Sequence, residues 1–181
     1  MSPFGQLQAS WIHRRLIRCG DHLTMTLCDI TAVKAHGQAL ARLANNDALT
    51  KLPNRHWLQS FLPGALTRAA AQAHSAALLA IDLADFKNIS DTPGHAAGDE
   101  LLQAVALRIR AAIPPDYAVV WRGGEEFLVV TEHIESADDV AKIASRLIGV
   151  FAEPFALAGS SAHKVQASIG ISVFPEDGIE V

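Results

Sequence analysis

The sequence predicts an α+β domain of the ferredoxin-like, split βαβ kind, an antiparallel sheet with helices packed on it. Two observations carry this prediction. From Ala76 onward short apolar runs and, at the end, an alternating stretch are interleaved with helical repeats of about 3.6 residues, in the order β-α-β-β-α-β. In the middle of that order, Ala118-Val119-Val120 and Leu128-Val129-Val130 flank Trp121-Arg122-Gly123-Gly124-Glu125-Glu126-Phe127. Two β-rich runs around a glycine pair read as a hairpin, because glycine alone reaches positive φ without a steric penalty.

The elements follow in chain order. Trp11 to Arg18 and His22 to Asp29 read as two strands joined by a Cys19-Gly20-Asp21 turn, and Leu23, Met25 and Leu27 alternating with Thr24 and Thr26 predict a half-buried second strand. Two strands do not make a stable domain by themselves, so residues 1–30 are expected to be the tail of a larger one. Residues 31–46 read as a helix with Val33, Leu40 and Leu43 near heptad spacing, either a signalling helix or a passive linker. Pro53 to Ala73 is helical in pattern, with Trp57, Leu58, Phe61 and Leu62 on one face. Ala76 to Leu83 is a near-continuous apolar run, predicting a strand covered on both sides. Leu101, Val105, Ile109 and Ile113 mark an amphipathic helix over Ala97 to Ile113, which Pro114-Pro115 stops. After the hairpin, Ser136 with Asp139 predicts a capped helix to Phe151, with Val140, Ile143 and Leu147 on its apolar face. Val165, Ala167, Ile169, Ile171 and Val173 alternate as a last strand.

Composition narrows the function. In 181 residues, 50% hydrophobic and 19% charged describe a globular chain with a real core, and a net charge of -4 with a pI near 6.0 argues against a nucleic-acid surface. No apolar run approaches the roughly 20 residues that cross a bilayer, and no signal segment opens the chain, so a cytoplasmic location and no membrane partner are expected. Cys19 and Cys28 are expected as free thiols, and the eight histidines show no zinc-binding spacing.

The chemistry concentrates at the hairpin. By itself Glu125-Glu126 at a glycine turn is either a solvated turn or a metal or phosphate site. In a split βαβ unit the strand after the hairpin lies antiparallel beside the first strand, which brings Asp82 close to Glu125 and Glu126. Three converging carboxylates repel one another unless a cation neutralises them, and hard oxygen ligands favour Mg²⁺. Beyond Asp82, the Ala84-Asp85-Phe86-Lys87 exit and the Gly94-His95-Ala96-Ala97-Gly98-Asp99-Glu100 helix start complete the reading as a Mg²⁺-dependent nucleotide site.

These residues also carry a family resemblance. Gly123 to Phe127 is a form of the GG(D/E)EF signature, and the chain resembles the GGDEF domains of the diguanylate cyclase family, with their nucleotidyl-cyclase, palm-like fold. Asp47-Ala48-Leu49-Thr50-Lys51-Leu52-Pro53-Asn54-Arg55, Asp82 to Lys87, Gly94-His95 with Gly98-Asp99, Ser168 to Ser172 and Pro175-Glu176-Asp177-Gly178 match further family segments in order, over residues 47–181. Cys28-Asp29-Ile30-Thr31-Ala32-Val33-Lys34 is similar to the ending of PAS sensor domains. The resemblance implies condensation of two GTP to cyclic di-GMP by a homodimer in a bacterial signalling protein. It implies Mg²⁺ on Asp82, Glu125 and the Leu83 carbonyl, with Glu126 as a further ligand or as the group that deprotonates the attacking hydroxyl. Gly123 and Gly124 would let backbone lie against the nucleotide, Phe86 and Lys87 would face the phosphates, and Ser90 and Asp99 would meet the guanine.

Several positions depart from the family pattern. Ala84 stands where a second Asp is usual, Ser90 where an Asn reads guanine, and Trp121 where an Arg is common, with Arg122 displaced by one. The sequence ends before the family's last helix, and Pro114-Pro115-Asp116-Tyr117 replaces the R-x-x-D inhibitory motif, so no feedback inhibition through that surface is expected. The alternative reading is a degenerate GTP-binding or dimerisation module preceding an EAL phosphodiesterase domain.

Overall fold

The computed structural model describes residues 10–84, 86, 95–157 and 162–178. The chain forms two compact units, Met1–Ala44 and Asn45–Val181.

In the first unit β1 (Ile12–Cys19) and β2 (His22–Asp29) pair antiparallel from Ile12↔Asp29 to Cys19↔His22. Gly20, at φ +61, makes the tight reversal. The expected half-burial of the second strand is not found: every residue of both strands is exposed, with Leu23 at 70%. Alternation marks a face able to be buried, and burial needs a second layer against it. Helix α1 (Thr31–Asn45) follows and buries none of its residues. Its start is tied to the ribbon by the Asp29-Ile30-Thr31 motif. Asp29 Oδ1 accepts the Thr31 N–H at 2.8 Å, and Thr31 Oγ1 accepts the N–H groups of Ser10 and Trp11 at 3.1 Å each. Hydrogen bonding to Asp29 from the Thr31 hydroxyl first, and from its N–H second, holds the Asp29 carboxyl below its ordinary pKa.

The second unit contains α2 (Arg55–Ala71), β3 (Ser75–Ala84), α3 (His95–Ala112), β4 (Ala118–Gly123), β5 (Glu126–Ile134), α4 (Ala137–Val150) and β6 (Gln166–Phe174). The strands form one sheet in the order β4-β5-β3-β6, and every neighbouring pair is antiparallel. This is the predicted split βαβ arrangement. Helix α2 starts at Arg55 rather than Pro53 because Asn54 caps it, its Oδ1 accepting the Trp57 N–H at 3.0 Å. At α4 the expected cap takes a different form. Ser136 Oγ donates to the Asp139 carboxylate at 3.0 Å, and no side-chain bond from Ser136 reaches the helix backbone.

Pleating sorts the sheet into two faces. Ala77, Leu79, Ile81 and Leu83 of β3 with Phe127 and Val129 of β5 meet Leu101, Val105 and Ile109 of α3 and Val140 and Leu147 of α4 in the main core. On the other face Val120, Leu128 and Val130 are buried, where α2 packs through Leu62, Ala65 and Ala69. Helix α2 covers only part of this face. The prediction that β3 is covered on both sides therefore fails at its C-terminal end, where Ala80 and Asp82 are exposed while Ile81 and Leu83 are buried. No helix among the described residues is long and apolar enough to cross a membrane.

Candidate nucleotide and metal site

The exposed end of β3 is where the predicted site residues gather. Asp82 is the cross-strand partner of Glu126 on β5 and of Ser168 on β6, so all three stand in one row on the uncovered face. Leu83 N–H donates to the Glu125 carbonyl at 3.2 Å, which binds the acidic turn to β3 one residue further along. Asp82 is exposed, whereas Glu125 and Glu126 are half-buried. A water-accessible carboxylate beside two partly shielded ones suits a hydrated hard cation.

The turn itself owes its shape to two glycines. Gly123 has φ +126 and Gly124 φ +59, and neither has a heavy atom within 4 Å of the place a Cβ would occupy. Backbone conformation, not crowding, selects glycine here. The two strands lose register at this point. Trp121 pairs with Phe127 but Gly123 pairs with Glu126, so Arg122 is the extra residue of a β-bulge. Its guanidinium reaches forward to the Glu126 carboxylate, with Nη1 and Oε2 3.2 Å apart. Reading Arg122 from simple strand alternation places its charge away from the position Trp121 occupies; the bulge and the ion pair give that charge a definite destination on Glu126.

The carboxylates do not form a closed metal cage. Among the described residues no three or more His, Cys, Asp or Glu side chains gather around a common point. Adjacent like charges repel, and Arg122 supplies Glu126 with a nearer countercharge. Asp82, Glu125 and the main-chain carbonyls of this region nevertheless offer hard oxygens. That set fits Mg²⁺, which is usually held by one or two carboxylates together with waters and substrate phosphates and not by a dedicated all-protein cage.

The remaining predicted residues divide. Phe86 is half-buried and its ring packs against the main core. Asp99 is exposed on the second turn of α3. Lys87 and Ser90 lie outside the described residues.

Sequence reasoning missed two supports of the turn. Trp121 Nε1 donates to the Gly124 carbonyl at 3.1 Å, and the Trp121 N–H donates to the Pro53 carbonyl at 2.9 Å. The segment before α2 is itself tightly closed, since Asp47 Oδ1 accepts from the N–H of Leu49 at 3.0 Å and of Thr50 at 2.6 Å. The i,i+4 spacing of Arg122 and Glu126 signals an ion pair on a helix and not in a hairpin; here the bulge brings the two side chains together.

Comparison with known proteins shows the family. The family model described as "Diguanylate cyclase, GGDEF domain" matches residues 44–181. The chain is 38% identical over 165 residues to Diguanylate cyclase TpbB of Pseudomonas aeruginosa, covering 89% of this chain and 38% of that protein. It is 39% identical over 150 residues to the bifunctional diguanylate cyclase/cyclic di-GMP phosphodiesterase MucR of the same species, covering 82% of this chain and 21% of that protein. A crystal structure of a sensory box/GGDEF family protein from Caulobacter crescentus aligns with a TM-score of 0.70 at 37% identity, covering 75% of this chain and 87% of that one. The chain thus spans well under half the length of either curated relative.

Proposed function

The chain belongs to the diguanylate cyclase, GGDEF domain family, and from that premise we propose that it condenses two GTP molecules to cyclic di-GMP in a Mg²⁺-dependent reaction. The observation that carries this reading is the placement of Asp82 opposite Glu126, with the Glu125 carbonyl held by Leu83 N–H. Each subunit of a homodimer binds one GTP, and the 3′-hydroxyl of each attacks the α-phosphate of the other with release of pyrophosphate.

Asp82, Glu125 and the Leu83 carbonyl are the groups that would hold Mg²⁺. When bound, the ion neutralises negative charge on the triphosphate and on these carboxylates. Glu126 would accept the proton of the 3′-hydroxyl or serve as a further ligand. Gly123 and Gly124 present bare backbone, so the nucleotide approaches the turn without meeting a side chain. Asp99 takes the guanine edge, with Ser90 in the position of the usual amide and Lys87 toward the phosphates. Phe86 anchors the exit of β3 by packing on the core. Alignment and charge neutralisation supply most of the rate, as in other phosphoryl transfers.

The wider setting is a cytoplasmic signalling protein. The β1-β2 ribbon is the end of a PAS-like sensor domain, residues 31–46 are its connecting helix, and residues 47–181 are the catalytic domain. A second reading rests on the Arg122–Glu126 ion pair, together with Ala84, Ser90 and Trp121. An acid already neutralised internally suits a module that binds GTP, regulates and does not turn it over, ahead of an EAL phosphodiesterase domain.

Incubation with GTP and Mg²⁺ followed by chromatography decides between them. The cyclase reading expects cyclic di-GMP from the wild type and at least a hundredfold less, the order lost with one electrostatic contributor, from Asp82→Asn or Glu125→Gln. GTP binding without product transfers the assignment to the regulatory reading, and undiminished product from both variants removes the metal-site assignment.

A further inference from the structure

We propose that Trp121 is a positioning residue for the acidic turn, acting through its indole N–H on the Gly124 carbonyl. The metal-related part of this proposal rests on the cyclase reading above; the conformational part stands without it.

The turn has little means of holding its own shape. Two consecutive glycines at positive φ leave it torsionally soft, and the adjacent Glu125 and Glu126 repel each other. Its conformation must be imposed from outside, and three contacts do so. Trp121 Nε1–H bonds the Gly124 carbonyl at 3.1 Å, Leu83 N–H bonds the next carbonyl, that of Glu125, at 3.2 Å, and Arg122 holds the Glu126 side chain at 3.2 Å. Consecutive carbonyls are therefore fixed by donors on two different strands.

Trp121 is itself well anchored. Its ring packs against the main core, its Cα stands opposite the fully buried Phe127, and its backbone N–H bonds the Pro53 carbonyl at 2.9 Å. The loop that presents Pro53 is closed by Asp47 N–H on the Leu52 carbonyl at 2.8 Å and by Asn54 N–H on the Asn45 carbonyl at 2.8 Å. A continuous set of contacts thus runs from the Asn45–Asn54 loop through Trp121 to Gly124, the residue that precedes Glu125. Trp121 is only half-buried, so water could have taken its indole N–H; the N–H instead bonds the turn.

The test is Trp121→Phe, which keeps an aromatic ring on the core and deletes the N–H. Amide hydrogen exchange is followed by NMR without metal or nucleotide. Losing one hydrogen bond is expected to speed exchange at Leu83, whose N–H donates to the Glu125 carbonyl, by about five- to tenfold, while Leu79 and Val129 in the sheet interior stay unchanged. Unchanged exchange at Leu83 overturns the proposal, and so does equal acceleration at all three amides, which is the mark of general loosening. With GTP present, the Mg²⁺ concentration for half-maximal cyclic di-GMP formation is expected to rise by a similar factor, with smaller change at saturating Mg²⁺. If the wild type makes no product while Leu83 exchange responds as stated, the cyclase reading has failed and the positioning role of Trp121 stands.

Discussion

Replacing the two glycines of the acidic turn separates torsional strain from packing, because a Cβ at either position meets no heavy atom within 4 Å. Gly124 lies at φ +59, in the left-handed helical region, where an alanine costs roughly 1–2 kcal/mol. Gly123 lies at φ +126, beyond that region, and a side chain there carries strain toward the top of the roughly 1–3 kcal/mol range. Alanine also restricts the unfolded chain, which returns roughly 0.4–1 kcal/mol to the folded state. The net expectation is a loss of about 1 kcal/mol for Gly124→Ala and about 2 kcal/mol for Gly123→Ala. Gly124→Asn should be milder than Gly124→Ala, since asparagine visits the left-handed region more readily. Urea denaturation reads these differences as shifts in midpoint at constant m-value. Equal losses at the two positions, or an asparagine as damaging as alanine at Gly124, would refute the torsional account. Turnover should fall further with Gly123→Ala than with Gly124→Ala, because relief of the greater strain displaces Glu125 more.

Two further predictions concern the framework around the site. Arg68 and Glu132 form a two-pronged ion pair between α2 and β5, with N–O distances of 2.8 and 2.7 Å. The hydrogen bonds from Arg68 hold the Glu132 carboxyl below its ordinary pKa. A depressed folded-state pKa contributes stability above the unfolded value, about 4.3, and that contribution disappears as pH falls through the lower folded value. Glu132→Gln should therefore lower the melting temperature at pH 7 and lose its effect in strong acid; a difference persisting there would contradict the ion-pair origin. In the main core, Leu79 is fully buried in β3 between its two sheet neighbours, so Leu79→Ala should cost about 2–5 kcal/mol. A denaturation midpoint unchanged by that substitution would show that the β3 register is misassigned.

What was readable in the chain alone is what depends on near neighbours. Helical repeats of about 3.6 residues marked the helices, and apolar runs or, in β6, alternation marked the strands among the described residues of the second unit, because burial leaves its pattern in the sequence. The glycine pair marked the hairpin, and the β-α-β-β-α-β order then sufficed to bring Asp82 beside Glu126. Helix starts were displaced where side-chain caps act, as at Asn54, and alternation in β2 named an apolar face without showing whether anything covers it.

Only the tertiary structure decided how the acids are held. A single extra residue at Arg122 shifts the hairpin register, and a one-residue shift reverses which side of a strand a residue faces. That bulge sends Arg122 to Glu126 and leaves Trp121 on the core side with its N–H on Gly124. The reach of α2 over the sheet leaves Asp82 in water while its neighbours Ile81 and Leu83 are buried. Composition and spacing thus selected the residue types of the candidate nucleotide site. Their exposure, pairing and support were settled by contacts between segments distant in sequence, whose register no local pattern encodes.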